Sequence, residues 1–331
     1  MLGQAERLEV EAPAKINLYL AVLGRRSNGY HDIQSVVVPV AVFDRVVLEK
    51  SDGEIETIVE SGPGDSGLTP RLPPSDENLT TRAAKLLKEF TSYPAGAVIR
   101  LGKQIPVGGG LGGGSSDAAA VLNGLNRLWG TGVARAELMR IGAGVGCDVP
   151  AFVHGGAVLI EGMGERVSPL AVKVPGARTV AGEDRAEQRD GPEPGWWLVI
   201  VNPGFCVSTR DIYSRHQLSL TSGQRTAMDI VLSLKSGDLD LVAKGLFNSL
   251  QDTAFRKYPL LGIVRETLIQ AGALGALLSG SGASVFGLAR NSKHAHQIAA
   301  AARQTLGKGM WIRVSRILPD GVMAAHGPLE A

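Results

Sequence analysis

The chain opens on long apolar runs with few polar interruptions. Residues 16–23, 33–43 and 45–49 are rich in Val, Ile and Leu, and Ser27-Asn28-Gly29 puts a turn signal between the first two. This pattern predicts an antiparallel opening sheet over residues 8–48. Residues 61–74 are crowded with Gly, Pro and Ser, after which Ser75-Asp76-Glu77-Asn78 reads as a helix start before the amphipathic run 79–90. Residues 97–101 read as a short strand. Residues 115–129 read as a helix, with Ala118, Val121, Leu122, Leu125 and Leu128 at helical spacing. A further helix is expected over 135–143, and a strand over 151–160 interrupted by Gly155-Gly156. Beyond it, 196–201 has the pattern of a buried strand, 228–236, 239–247 and 260–271 look helical, and 276–288 is two apolar runs flanking Ser279-Gly280-Ser281-Gly282. Strands and helices mixed in this way predict an α+β chain, and no internal repeat is visible.

A length of 331 residues suits two domains at about 150 residues each. The polar, aperiodic segment 175–195 is the natural junction, giving an N-terminal domain over 1–170, an insertion or linker over 171–195 and a C-terminal domain over 196–331. Hydrophobic residues at 44% and charged residues at 20% exclude a disordered chain. A net charge of +2 with scattered Lys and Arg argues against nucleic acid as a partner. Apolar runs such as 36–43 fall short of the roughly 18 to 20 residues that span a bilayer, and residues 1–8 are too polar for a signal peptide, so no membrane is expected and a cytoplasmic location is. Cys147 and Cys206 have no partner spacing for a disulfide framework or a zinc site and read as structural thiols.

Glycine changes the picture. It supplies 43 residues, and six of them lie between Gly108 and Gly114 in Pro106-Val107-Gly108-Gly109-Gly110-Leu111-Gly112-Gly113-Gly114-Ser115-Ser116-Asp117. Such a run lets successive backbone N–H groups point into one concavity, and the helix start that follows adds unpaired N–H groups and a positive dipole end. A tight turn needs one or two glycines, so a phosphate site is the better reading. Gly108-x-Gly110-x-x-Gly113 also matches the dinucleotide fingerprint by count. The acidic partner about 20 residues on would be Glu137, inside a helix, so a nicotinamide oxidoreductase is the weakest alternative. A Walker A loop is excluded, because Ser115-Ser116 stands where Lys then Ser or Thr is required.

The form Pro-x-x-x-Gly-Leu-Gly-x-x-Ser-Ser resembles the phosphate loop of the GHMP kinase superfamily. Ala12-Pro13-Ala14-Lys15-Ile16-Asn17-Leu18 is similar to its first motif and Leu278-Ser279-Gly280-Ser281-Gly282-Ala283-Ser284-Val285-Phe286 to its third, in the family's order. The full glycine segment, together with Arg25-x-Ser27-x-Gly29-Tyr30-His31-Asp32, resembles the branch that phosphorylates a cytidine-diphosphate-linked methylerythritol in isoprenoid precursor synthesis. The resemblance implies a two-domain fold: an N-terminal nucleotide domain like the second domain of ribosomal protein S5, and a ferredoxin-like C-terminal substrate domain.

It also implies roles. Asp148 in Gly146-Cys147-Asp148-Val149-Pro150 would be the acid/base beside the acceptor hydroxyl, with Lys15 keeping it ionised; on type alone, Asp148 could equally cap a turn before Pro150, and Lys15 could be an exposed strand lysine. ATP would lie against Pro106, Gly108, Gly109, Gly110, Leu111, Gly112, Gly113, Gly114, Ser115 and Ser116, with Lys103 and Asn78 as further contacts. Asn78 could instead cap the following helix, and Lys103 could be a solvated strand end. Mg²⁺ would accompany ATP, with Ser116 as a candidate ligand. Tyr30 would stack on the cytosine and His31 hydrogen-bond its edge, Asn17 would contact the erythritol, and Thr209 and Tyr213 would lie in a substrate-binding segment. A packing role for Tyr30 and a surface turn for His31 compete with this. For Ser279-Gly280-Ser281-Gly282 an ordinary hairpin turn is the simpler reading, and for Trp196-Trp197 a place in the core. A mevalonate, homoserine or sugar kinase, or a nucleotide-binding sensor on the same fold, are the alternatives.

Overall fold

The computed structural model describes residues 6–60, 78–174, 195–217 and 226–321. Two long strands, β1 (Arg7–Arg25) and β2 (His31–Ser51), pair antiparallel and form the spine of the first sheet. β3 (Ile55–Glu60) and β4 (Gly96–Gly102) extend it beyond one half of β2, and β5 (Val158–Gly162) and β6 (Arg166–Pro169) beyond the other. One side of the sheet carries α1 (Leu79–Thr91), α2 (Gly113–Trp129), α3 (Arg135–Val145) and α4 (Val149–His154). Leu8, Val46, Leu48 and Ile99 meet Ala83, Leu87, Val121, Leu125 and Val149 in that layer. Gly124 lets α2 lie close to the strands, since a Cβ there would sit 2.3 Å from a Leu48 methyl.

The second sheet has the order β11 (Trp311–Arg316), β7 (Trp197–Asn202), β10 (Val285–Ala289), β9 (Ala276–Leu278). Around it lie α5 (Thr209–Arg215), α6 (Ala227–Ser236), α7 (Leu239–Gly245), α8 (Gln251–Lys257), α9 (Pro259–Gln270) and α10 (Ser292–Leu306). The two sheets share a core. Ile16, Leu18, Val36 and Val38 pack with Trp196, Ile200, Ile230 and Phe286, and the two-residue strand β8 (Phe247–Asn248) crosses back to pair with β1. The junction proposed over 171–195 falls almost entirely outside the described residues, as do 61–77.

One expectation is overturned. Residues 151–160 are not a single strand: α4 ends at Gly155, whose φ of 77° stops a helix, and β5 begins at Val158. A short apolar run of this length fits a buried helix turn as well as a strand, and Pro150 near the helix start, with φ already set for it, decides the matter. Helix α10 and strand β11 were not foreseen. Nor were β3, β6 and the short helices α5 and α8, whose runs are too brief for a periodic signal. No helix among the described residues is long and apolar enough to cross a membrane.

Candidate active site

The glycine loop joins β4 to α2, and its shape follows from where its carbonyls go. Val107 O accepts from Cys206 Sγ at 3.0 Å, Gly108 O from Val207 N at 3.3 Å and Gly109 O from Ser284 N at 2.9 Å. Gly110 O accepts from Ser279 Oγ at 3.0 Å, Leu111 O from Lys15 N at 2.9 Å and Gly112 O from Ser116 N at 2.9 Å. Six consecutive carbonyls are thus turned into the protein. Left-handed φ values at Gly108, Gly110 and Gly112, of 65°, 76° and 71°, allow this alternation, which side-chain-bearing residues rarely adopt. With the carbonyls tied down, the amides are left to form an anion-binding nest. Gly112 is the N-cap of α2 and offers no side chain to the first-turn amides, so the positive end of the helix adds to the nest.

Ser279-Gly280-Ser281-Gly282 does turn the chain from β9 to β10, as the hairpin reading expects, but it also forms one wall of the cradle. A Cβ on Gly110 would lie 2.2 Å from Ser279 O and one on Gly280 would lie 3.3 Å from Lys15 Nζ. Asn248 Nδ2 holds the turn from below through Leu278 O at 2.9 Å and Gly280 O at 2.7 Å.

Lys15 and Asp148 come together at the mouth of this cradle. Lys15 is 5% exposed and its Nζ donates to Asn17 Oδ1 at 2.7 Å. Asn17 Nδ2 in turn donates to Ser35 Oγ at 2.9 Å, and Ser35 Oγ to Tyr19 O at 2.7 Å, a relay that fixes the ammonium's direction. Asp148 Oδ2 stands 3.9 Å from Lys15 Nζ. Burial lowers the lysine's pKa and the neighbouring carboxylate pulls it back up. Asp148 sits at the N-cap of α4 yet makes no side-chain cap bond, and its side chain is 46% exposed. The turn-cap alternative is therefore not what this carboxylate does; it faces open space. That space is a cavity of about 190 Å³ bordered by Lys15, Ser116, Ala120, Asp148 and Phe152.

On the far side of the pair lie the aromatic groups. Tyr30 is 58% exposed in the turn between β1 and β2, so it is not a packing residue. That turn is braced by Arg26, which bonds Asp32 Oδ1 at 2.9 Å through Nε and reaches Glu165 at 3.6 Å. The His31 ring lies 5.2 Å from that of Tyr213, tilted by 44°. Burial first, then the charge of Arg25, lower the His31 pKa, so the ring is neutral near pH 7. Burial, reinforced by Asp148 and Cys147, raises that of Tyr213 and keeps its hydroxyl protonated. Thr209 and Ser281 share a hydroxyl hydrogen bond of 2.8 Å, which ties the start of α5 to the cradle wall.

Two nucleotide-side assignments meet competing roles. Asn78 caps α1, its Oδ1 accepting from Thr80 N at 3.0 Å. Lys103 is neither a solvated strand end nor a free cation: its ammonium is held between Asp44 and Asp117. Burial works to lower its pKa, but Asp117 and Asp44 together raise it. The structure thus gives Lys103 a buried ion-pair role that competes with an ATP contact. Ser116 is buried, and its hydroxyl has no hydrogen-bond partner among the described residues. Ser35, Asn248, Ser284 and Asp44 went unnoticed in the sequence, where single polar residues in apolar runs carry no spacing signal.

The GHMP kinases N terminal domain family matches residues 78–156 and the GHMP kinases C terminal family matches residues 230–308, so the two halves that build the cradle define a GHMP kinase. The 4-diphosphocytidyl-2-C-methyl-D-erythritol kinase of Symbiobacterium thermophilum is 42% identical over 282 residues, covering 85% of this chain and 90% of that protein. The enzyme of the same name from Pelotomaculum thermopropionicum is 40% identical, covering 89% and 93%. The chain belongs to this 4-diphosphocytidyl-2-C-methyl-D-erythritol kinase family. A crystal structure of 4-(cytidine 5'-diphospho)-2C-methyl-D-erythritol kinase superposes with a TM-score of 0.71 at 33% identity, covering 93% of this chain and 99% of that one. A homoserine kinase from Cytophaga hutchinsonii shares the fold with a TM-score of 0.72 at 22% identity, covering 97% and 98%.

Proposed function

We propose that this chain transfers the γ-phosphoryl group of ATP to the 2-hydroxyl of 4-diphosphocytidyl-2-C-methyl-D-erythritol, giving the 2-phosphate and ADP in the non-mevalonate route to isoprenoid precursors. The observation that carries the chemistry is the Lys15–Asp148 pair at 3.9 Å, open on one side and backed by the glycine cradle. Phosphoryl transfer has a loose transition state, so positioning and charge stabilisation supply most of the catalysis. The loop amides from Gly108 to Ser115 hold the phosphates. Asp148 accepts the proton of the acceptor hydroxyl as its oxygen bonds to the γ-phosphorus and the bond to ADP breaks. Lys15, directed by Asn17, faces Asp148 and steadies the charge developing on the acceptor oxygen.

Asn17 also reaches the erythritol, while Tyr30 stacks on the cytosine and neutral His31 offers its edge one donor and one acceptor. Thr209 and Tyr213 close the acceptor side. Mg²⁺ would fit the same mouth, because the buried Ser116 hydroxyl has no partner among the described residues and can take up a ligand. The ion would supply positive charge against the phosphates when bound. The reaction partners are then two small molecules, and a cytoplasmic setting suits both.

Phosphorus NMR with Mg-ATP and a panel of acceptors tests this reading. A new phosphomonoester from the cytidyl substrate, and none from mevalonate, homoserine or galactose, is the expected result. Turnover of another acceptor would leave the kinase assignment standing and overturn the roles of Tyr30 and His31. ATP binding with no turnover of any acceptor would favour a sensor.

His31 gives a pH prediction. Its pKa lies below the ordinary value of about 6.5, so protonation begins only as pH falls below that point. KM for the cytidyl acceptor is expected to stay flat at higher pH and to rise as pH drops through the depressed pKa, while KM for ATP does not follow. His31→Ala should raise the acceptor KM at every pH and abolish that rise. An acceptor KM with the same pH profile in both proteins would remove His31 from base recognition.

A further inference from the structure

The strand β2 breaks register with β1 between Pro13 and Ala14: Pro13 pairs with Phe43, and Ala14 with Val40. Such a bulge re-aims the side chains beside it. On one side of the irregularity stands Lys15. On the other stands Asp44, with no solvent exposure at all.

A carboxylate buried to this degree needs several donors, and Asp44 draws its own from the glycine loop. Its Oδ1 accepts from Gln104 N at 2.5 Å and Ile105 N at 2.9 Å, the two amides that begin the loop. Its Oδ2 accepts from Lys103, whose ammonium also reaches Asp117 in α2. The same Oδ2 lies 3.3 Å from where a Cβ on Gly113 would be, at the loop's other end. The close packing at Gly113 leaves little room for a larger residue beside Asp44, while Gln104 and Ile105 bond it directly.

Between those ends, each carbonyl from Val107 to Leu111 is fastened to β1 or to the C-terminal half. Asp44 thus ties the start of the loop directly and, through Lys103 and Asp117, the helix that follows the loop. We propose that Asp44 is a positioning residue for nucleotide binding, setting the width of the phosphate cradle by bonding the loop's first amides and anchoring α2 through Lys103. The proposal rests on the reading of this loop as the ATP site.

The test compares KM for ATP, KM for the acceptor and direct binding of ATP by calorimetry. Asp44→Asn gives up the charge that holds Lys103 and is expected to raise the ATP KM and Kd by about tenfold or more, the effect of one lost charge-assisted hydrogen bond. The acceptor KM should stay within about twofold in the same protein. A purely structural role would lower the melting temperature and the active fraction, and hence kcat, while leaving both KM values in place. Asp117→Asn cuts only the tie to α2 and leaves both loop amides on Asp44, and should give a smaller rise that is likewise selective for ATP.

Gln104→Pro deletes one of the two amide donors at an exposed position while Asp44 remains, and gives a smaller rise selective for ATP. It decides the matter if Asp44→Asn does not fold. ATP and acceptor KM values that shift together, or an ATP KM unchanged in both folded variants, overturn the proposal. Absence of ATP binding by the unaltered protein would instead overturn the ATP-site reading.

Discussion

Asp148→Asn is expected to lower kcat by about a thousandfold, within the range that a positioned general base contributes, with little change in melting temperature. The two halves of this expectation come from separate observations. The carboxylate is 46% exposed and makes no cap bond to α4, so the fold does not depend on it. Asparagine is isosteric and keeps the local packing. What it lacks is a site for the hydroxyl proton and the negative charge that offsets Lys15's burial. Without that charge the lysine's pKa, already lowered by burial, falls further. Both groups proposed to act on the hydroxyl are therefore altered by one substitution, while the proposed phosphate cradle is untouched. Single-turnover measurements with saturating ATP, set beside thermal melts, read the effect directly. A loss in kcat of less than about tenfold would show that Asp148 only orients the acceptor and that positioning carries the reaction.

The second large effect is expected at Gly110. Alanine there must adopt a φ of 76° and would bring its Cβ within 2.2 Å of Ser279 O and 2.8 Å of Gly282 O. Both obstacles are backbone, which cannot swing aside as a side chain could. The left-handed conformation costs about 1 to 2 kcal/mol for a residue with a Cβ. The displaced Ser279 turn would add to this through the lost hydrogen bond to Gly110 O. Gly110→Ala should therefore melt several degrees lower and lose ATP affinity by about a hundredfold or more. Gly114→Ala supplies the contrast. Its φ is not left-handed and the new methyl would meet only a Leu79 methyl at 3.5 Å, so the melting temperature should be unchanged. Equal melting and equal ATP affinity for Gly110→Ala and the unaltered protein would mean the two turns move apart freely.

The parts of this architecture that could be read from the chain are those with a local cause. The β1–β2 pair announces itself through its Val and Ile runs, and α2 through the spacing from Ala118 to Leu128. The glycine loop is legible because no other residue type permits its backbone. Lys15, Asp148 and His31 were singled out by resemblance, since a lone Lys, Asp or His has a bland alternative at every position. Residues whose work depends on distant partners left no trace. Asp44 looks like an interruption in an apolar strand, and its partners lie about 60 positions away. The ion pairs of Lys103 were illegible for the same reason, because nothing nearby in sequence says that two acids enclose it. The helix α4 was missed where the local pattern was ambiguous and Pro150 decided it.

The fastening of the glycine loop has a consequence for how the protein comes into being. Donors to its carbonyls are drawn from Lys15, Cys206, Val207, Ser279 and Ser284, which span most of the chain. During synthesis the loop itself is made in the first third, but two of those donors emerge near the end. A nascent or truncated chain therefore contains the glycine motif without a formed cradle. On the reading of this loop as the ATP site, nucleotide binding requires the carbonyl fastenings from both halves of the chain.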